Sequence, residues 1–176
     1  MPETNIEIKP STKVFDLLKA YPELEETLIG IAPPFKKLRN PVLRKSIGKI
    51  ATLKNISSVG NIPLDELINK IQKAVGQKVT DDHYEDEEYF KDKPDWFSTD
   101  KITVSINEEK SKDKDQMTIV AILKAVKNLK KGAIIELITT FLPAPGIDTM
   151  KSKNYSVWTV KEKDNLIKSY FLKNTD

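Results

Sequence analysis

Residues 79–100 decide how this chain can be organised, because they carry nine acidic side chains against two lysines. Such a density of like charge keeps a segment solvated and gives it no core of its own. On either side the balance reverses: residues 1–78 hold 13 basic and 8 acidic groups, and residues 101–176 hold 14 and 9. The 176 residues therefore read as two mildly basic folding units, 1–78 and 101–176, joined by an acidic linker at 79–100. The expected class is α+β, a small all-α domain followed by a two-layer α/β sandwich.

The first unit reads as short helices with clear punctuation. Ser11 or Thr12 is placed to cap a helix carrying Val14, Phe15, Leu17 and Leu18. Pro22 breaks that helix and suits the first position of the next, which runs through Leu24, Leu28 and Ile29 to Gly30. Pro33-Pro34 forces a turn before Phe35 and Leu38, and Asn40-Pro41 starts another helix whose apolar face is read as Val42, Leu43, Ile47 and Ile50. Thr52 can cap a segment that Gly60 stops. Pro63 opens the last helix, through Leu64, Leu67, Ile68, Ile71 and Val75, and Gly76 closes it.

Residues 52–62, with the basic stretch Lys36 to Lys49 ahead of them, have the look of a helix-turn-helix. The helix that would enter the groove begins Pro63-Leu64-Asp65-Glu66, which sets two carboxylates against a polyanion. Nucleic-acid binding is accordingly not the favoured reading.

The run Ile8 to Leu24, followed by Asn40-Pro41-Val42-Leu43-Arg44 and Ala51-Thr52-Leu53, resembles a small bacterial helical family of unknown function. A cysteine-bearing relative of that family accompanies hybrid-cluster proteins. In relatives with paired cysteines, the resemblance implies a metal or redox role for the segment after the second helix. Here that segment, Gly30 to Leu38, offers no thiolate, imidazole or carboxylate, so the role does not carry over.

In the second unit, Ile102 to Ile106 alternates as a half-buried strand does. A helix is expected over Gln116 to Lys130, a strand over Ala133 to Thr140, and a rigid proline loop from Phe141 to Gly146 ahead of a short helix near Ile147 to Lys153. Tyr155 to Lys161 and Leu166 to Leu172 form a hairpin. The order strand, helix, strand, helix, strand, strand suits a four-stranded mixed sheet with both helices on one face. It is similar to the SirA/TusA-like fold of sulfur-carrier proteins and to a cysteine-free family of unknown function. The likeness rests on Lys131 to Leu137, with its glycine before the second strand, and on Leu142-Pro143-Ala144-Pro145. The carriers open their first helix with Cys-Pro-x-Pro, and that position falls here on Asp115-Gln116-Met117-Thr118. A persulfide needs a thiolate, and the sequence contains no cysteine, so this chain is no sulfur carrier. Asp115 itself reads as a helix cap.

Other chemistry is sparse. The one histidine, His83, lies in the acidic linker, where the run Asp81 to Glu88 has no metal-ligand spacing and reads as a solvated spacer. Tyr89, Phe90, Trp96 and Phe97 are placed to pin the linker onto a domain. No Ser–His–acid arrangement, phosphate-cradling glycine loop or dinucleotide fingerprint occurs. Glu136, alone in an apolar strand, reads as an edge or surface acid rather than a catalyst.

The expectation is a non-enzymatic cytoplasmic binding or regulatory protein, with no cofactor and no metal. A protein partner or small anionic ligand would be held by Phe35, Lys36, Lys37, Arg39, Asn40 and Arg44. The alternatives are a nucleic acid on the same basic stretch, or an accessory role in redox or sulfur metabolism without a thiol of its own. Cytoplasmic placement follows from the lack of a basic patch and apolar stretch at the start of the chain, and of any apolar run near the ~18 residues a spanning helix needs.

Overall fold

A computed structural model describes residues 5–111 and 118–174. Asp115, Gln116 and Met117 lie outside the described residues, and with them the expected cap at Asp115 and the start of the helix expected from Gln116. The chain forms two compact units, Met1–Glu87 and Glu88–Asp176. The acidic segment is thus shared between them.

The first unit is helical. Its elements are α1 (Val14–Ala20), a 3₁₀ turn (Pro22–Leu24), α2 (Glu25–Ile31), a 3₁₀ helix (Pro33–Arg39), α3 (Pro41–Ser46), α4 (Leu53–Gly60) and α5 (Leu64–Ala74). Leu17, Leu53, Ile56, Leu67, Ile68 and Ile71 are fully buried and form its core. Local signals set several ends. Thr52 and Asn55 make a reciprocal capping box at α4, and Gly76 adopts φ +73° just beyond α5.

Two local readings need correction. The α1 N-cap is Lys13 and makes no side-chain capping bond, and the Thr12 hydroxyl is spent closing the preceding loop. It donates to the Glu7 carbonyl at 2.9 Å and accepts the Lys9 N–H at 3.0 Å. Gly60 is needed for closeness rather than as a stop. A Cβ there would lie 2.6 Å from the Ile31 carbonyl oxygen, while the left-handed residue that ends α4 is Asn61, at φ 51°.

The second unit holds β1 (Ile102–Asn107), α6 (Thr118–Val126), β2 (Ile134–Thr139), α7 (Ala144–Ser152), β3 (Tyr155–Lys163) and β4 (Leu166–Lys173). The sheet order is β1-β2-β4-β3, with β1 parallel to β2 and β4 antiparallel to both β2 and β3. This is the mixed four-stranded sheet that the element order calls for. α6 packs on β1 and β2, and α7 on β3. Pro145 and Gly146, expected in a loop, fall inside the first turn of α7, where a missing N–H costs no hydrogen bond. Ile135, Leu137, Phe171 and Ile122 are fully buried. Among the described residues, no helix is long and apolar enough to cross a membrane.

Candidate functional site

The basic stretch of the first unit runs from the 3₁₀ helix Pro33–Arg39 into α3. Asn40 ends the one and caps the other. Its Oδ1 accepts the backbone N–H of Val42 at 2.9 Å and of Leu43 at 3.4 Å, and Pro41 takes the first helical position.

The six residues read as a site separate in the structure. Phe35 is buried in the core, and the Asn40 carboxamide is occupied by the cap. Both guanidinium groups face acids of α2. Arg44 donates through Nη2 to Glu25 Oε2 at 2.6 Å and through Nε to the Leu38 carbonyl at 2.9 Å. Arg39 pairs with Glu26, and its Nε lies 3.9 Å from Glu25 Oε1. Lys36 is exposed and Lys37 half-buried. The two arginines therefore tie the 3₁₀ helix and α3 to α2.

Sequence reasoning missed Val42. Read as part of an apolar face, it is 72% exposed, against 38% for Phe90, the other large hydrophobic on the surface among the described residues. The reason is length. α3 stops at Ser46, so Ile47 and Ile50 fall beyond it and no stripe forms on the helix itself. α3 buries none of its six residues. Lys45 and Ser46 are exposed beside Val42.

The acidic residues up to Glu87 lie on this same unit, along α5. Gln72 Oε1 accepts the Thr80 N–H at 3.3 Å. Asp65 accepts the Tyr84 N–H at 2.6 Å and lies 2.6 Å from His83 Nδ1. Asp86 Oδ1 accepts the Leu64 N–H at 2.8 Å and so caps α5 from a distant part of the chain, while Glu87 pairs with Lys54. The Tyr84 N–H, with His83 beside it, holds the Asp65 carboxyl below its ordinary 3.8. The end of α5 that a DNA-reading helix would present is bonded to this acidic segment. Among the described residues, no three His, Cys, Asp or Glu side chains gather as a metal site.

Of the four aromatic residues read as pins, Tyr89 and Phe97 hold the chain to the second unit and Trp96 meets Phe97 edge-on, whereas Phe90 is exposed. The Tyr89 hydroxyl reaches both oxygens of Asp148, at 3.1 and 3.0 Å. Phe97 meets Trp158 and Tyr170 edge-on, with centroids 4.6 and 4.5 Å away. The Trp158 Nε1–H donates to the Lys91 carbonyl at 2.9 Å.

The strand register lines up Ser105, Glu136, Tyr170 and Trp158 in one row across the sheet. Ser105 Oγ donates to Glu136 Oε2 at 2.7 Å and Tyr170 Oη to Oε1 at 3.3 Å, with Lys168 Nζ at 4.0 Å. Burial, with the Glu136 charge beside it, pushes the Tyr170 phenol well above its usual range. Glu136 is thus a held carboxylate with both oxygens in use, not the isolated acid that the strand pattern suggested.

Residues 8–68 match a family model. Its description is a domain of unknown function, DUF1858, and the match runs from Ile8 into α5, ahead of the acidic segment. No curated protein and no solved structure matches the chain.

Proposed function

We propose that this chain is a cytoplasmic binding module without catalytic machinery of its own, and that its first unit docks an acidic segment of a partner protein through α3 and the neighbouring Lys36. The observation that carries this reading is a helix with no buried residue whose apolar Val42 stands in water beside Lys45. Charge selects the partner. Between Glu26 and Asp65 the sequence holds seven basic residues and no acid. Of the residues read as a site, Lys36 and Lys37 would face the partner, whereas Arg39, Asn40, Arg44 and Phe35 hold the surface in shape. A protein partner is preferred to nucleic acid because an exposed apolar side chain at the centre gains nothing from a phosphate backbone.

The order of elements in the second unit supports reading it as TusA-like. Since the chain has no thiolate, its place in any sulfur or redox route would be as scaffold or accessory.

The test is a photo-cross-linking amino acid placed at position 42 in the source cells, with position 70, exposed on α5, as control. One discrete adduct from position 42, absent from position 70 and lost with Lys36→Glu/Lys45→Glu, is the expected result. Equal adducts from both positions, or nucleic acid as the only adduct, would overturn the proposal.

A further inference from the structure

The sheet of the second unit has two edges, β1 and β3. The chain guards the β3 edge itself: Phe90 forms a parallel bridge with Thr159 there, and the next carbonyl, that of Lys91, accepts the Trp158 indole N–H at 2.9 Å. β1 pairs with β2, and among the described residues no other segment lies in register beside it. We infer that the second unit self-associates through this open edge, β1 pairing antiparallel with β1 of a second copy across a two-fold axis, so that the two sheets run on as one.

The ladder shows which backbone groups are free. The Glu108 N–H bonds the Ile138 carbonyl at 3.0 Å, so Glu108 points at β2. Backbone groups alternate from one edge of a strand to the other. Ile106 therefore points at β2 as well. The N–H and C=O of Ser105 and Asn107 point the other way, with no partner among the described residues. β1, Ile-Thr-Val-Ser-Ile-Asn, holds neither proline nor charge, the usual means of keeping an edge solitary. Its one irregularity is the bulge between Ile102 and Val104, at the start of the strand. Beyond Asn107 a turn closes, the Asn107 Oδ1 accepting the Glu109 N–H at 3.0 Å, and pairing stops there.

Charge names both the occupant and the register. With Ser105 opposite its own copy, Thr103 meets Asn107, and just beyond the strands Asp100 meets Lys110, once at each end by symmetry. Asp100 and Lys110 are exposed, and neither side chain has an ionic partner among the described residues. Sliding one copy by two residues, so that Val104 faces itself, would instead set Asp100 against Glu108. Like charges so placed repel, which selects the first register. A strand from another protein would have to bring both charges in this order, whereas a second copy already carries them.

Sedimentation equilibrium of the full chain, with amide exchange in dilute and concentrated samples, is the test. A monomer–dimer equilibrium with a dissociation constant below about 1 mM is expected. The amides of Ser105 and Asn107 should exchange quickly in the dilute chain and about tenfold more slowly in the concentrated one, while Ile106 stays protected in both. Ser105→Pro removes only an outward donor and should weaken dimerisation about tenfold. Ser105→Ala keeps that N–H and should leave dimerisation unchanged. Lys110→Asp should weaken it about fivefold, and Asp100→Lys/Lys110→Asp should restore it. A monomer at every concentration would overturn the inference, as would a dimer indifferent to both Ser105→Pro and the charge reversal, or protection of the two amides that does not change with concentration. Protection that arises only when a different protein is bound would put a foreign strand in place of the second copy and overturn it too.

Discussion

If the arginines of the basic stretch belong to the scaffold, Arg44 and Glu25 must be energetically coupled. Their contact is 2.6 Å long, and the side chains are 28% and 23% exposed. Fully exposed pairs are worth about 0.2–1 kcal/mol, and breaking a buried pair costs about 3–5 kcal/mol. This pair sits between, and Arg44 also serves the Leu38 carbonyl. The expected coupling is about 1–2 kcal/mol, measured in a double-mutant cycle of Glu25→Gln and Arg44→Met. Methionine keeps most of the apolar stem, so the cycle isolates the charge contact. Each single variant should lower the melting temperature of a unit this size by about 4–8 °C per kcal/mol lost. Helical circular dichroism carries the first unit's transition together with that of α6 and α7, while fluorescence of Trp96 and Trp158 follows the second unit alone, so the two signals together isolate the first unit's transition. A coupling under about 0.3 kcal/mol would refute the reasoning and return both guanidinium groups to the candidate site.

Three further outcomes follow from the same contacts. Gly60→Ala places a methyl group 2.6 Å from a backbone oxygen of α2 and should cost about 1–3 kcal/mol by urea unfolding; a neutral result would show that α2 and α4 can part freely. Asp65 has a depressed carboxyl, so its contribution is present above the unfolded value near 3.8 and lost as pH falls through the lower folded value. Asp65→Asn should therefore flatten the loss of melting temperature between neutral pH and pH ~3, and an unchanged acid limb would count against the Tyr84 contact. Tyr170 has a raised phenol, so its stabilisation is whole below the usual value of 10.0 and fades as pH climbs beyond it. Ultraviolet titration of the folded chain should show Tyr170 ionising last, a lag that Tyr170→Phe shortens and Glu136→Gln reduces.

What the sequence makes legible here is local. Asn40 and Thr52 declare their helices because each bonds a backbone group within three residues. The strands and their order follow from alternation and turns. Contacts across many residues leave no such mark. Asp86 caps α5 across 22 positions, and nothing near Leu64 announces it. Glu136 looked solitary because Ser105 and Tyr170 reach it only once three strands are in register. Val42 was misplaced because the apolar pattern continued past the point where α3 ends. Arg39 and Arg44 read as available charge because their acids lie on a preceding helix, 13 and 19 positions away.

Hydrogen exchange at Leu43 to Ser46 tests the docking role of α3 most directly. In the isolated chain these amides should exchange quickly, as a short helix with no buried residue must. In the complex recovered through position 42 they should slow by about tenfold or more. Unchanged exchange in α3, with protection arising on another surface of the complex, would contradict the account.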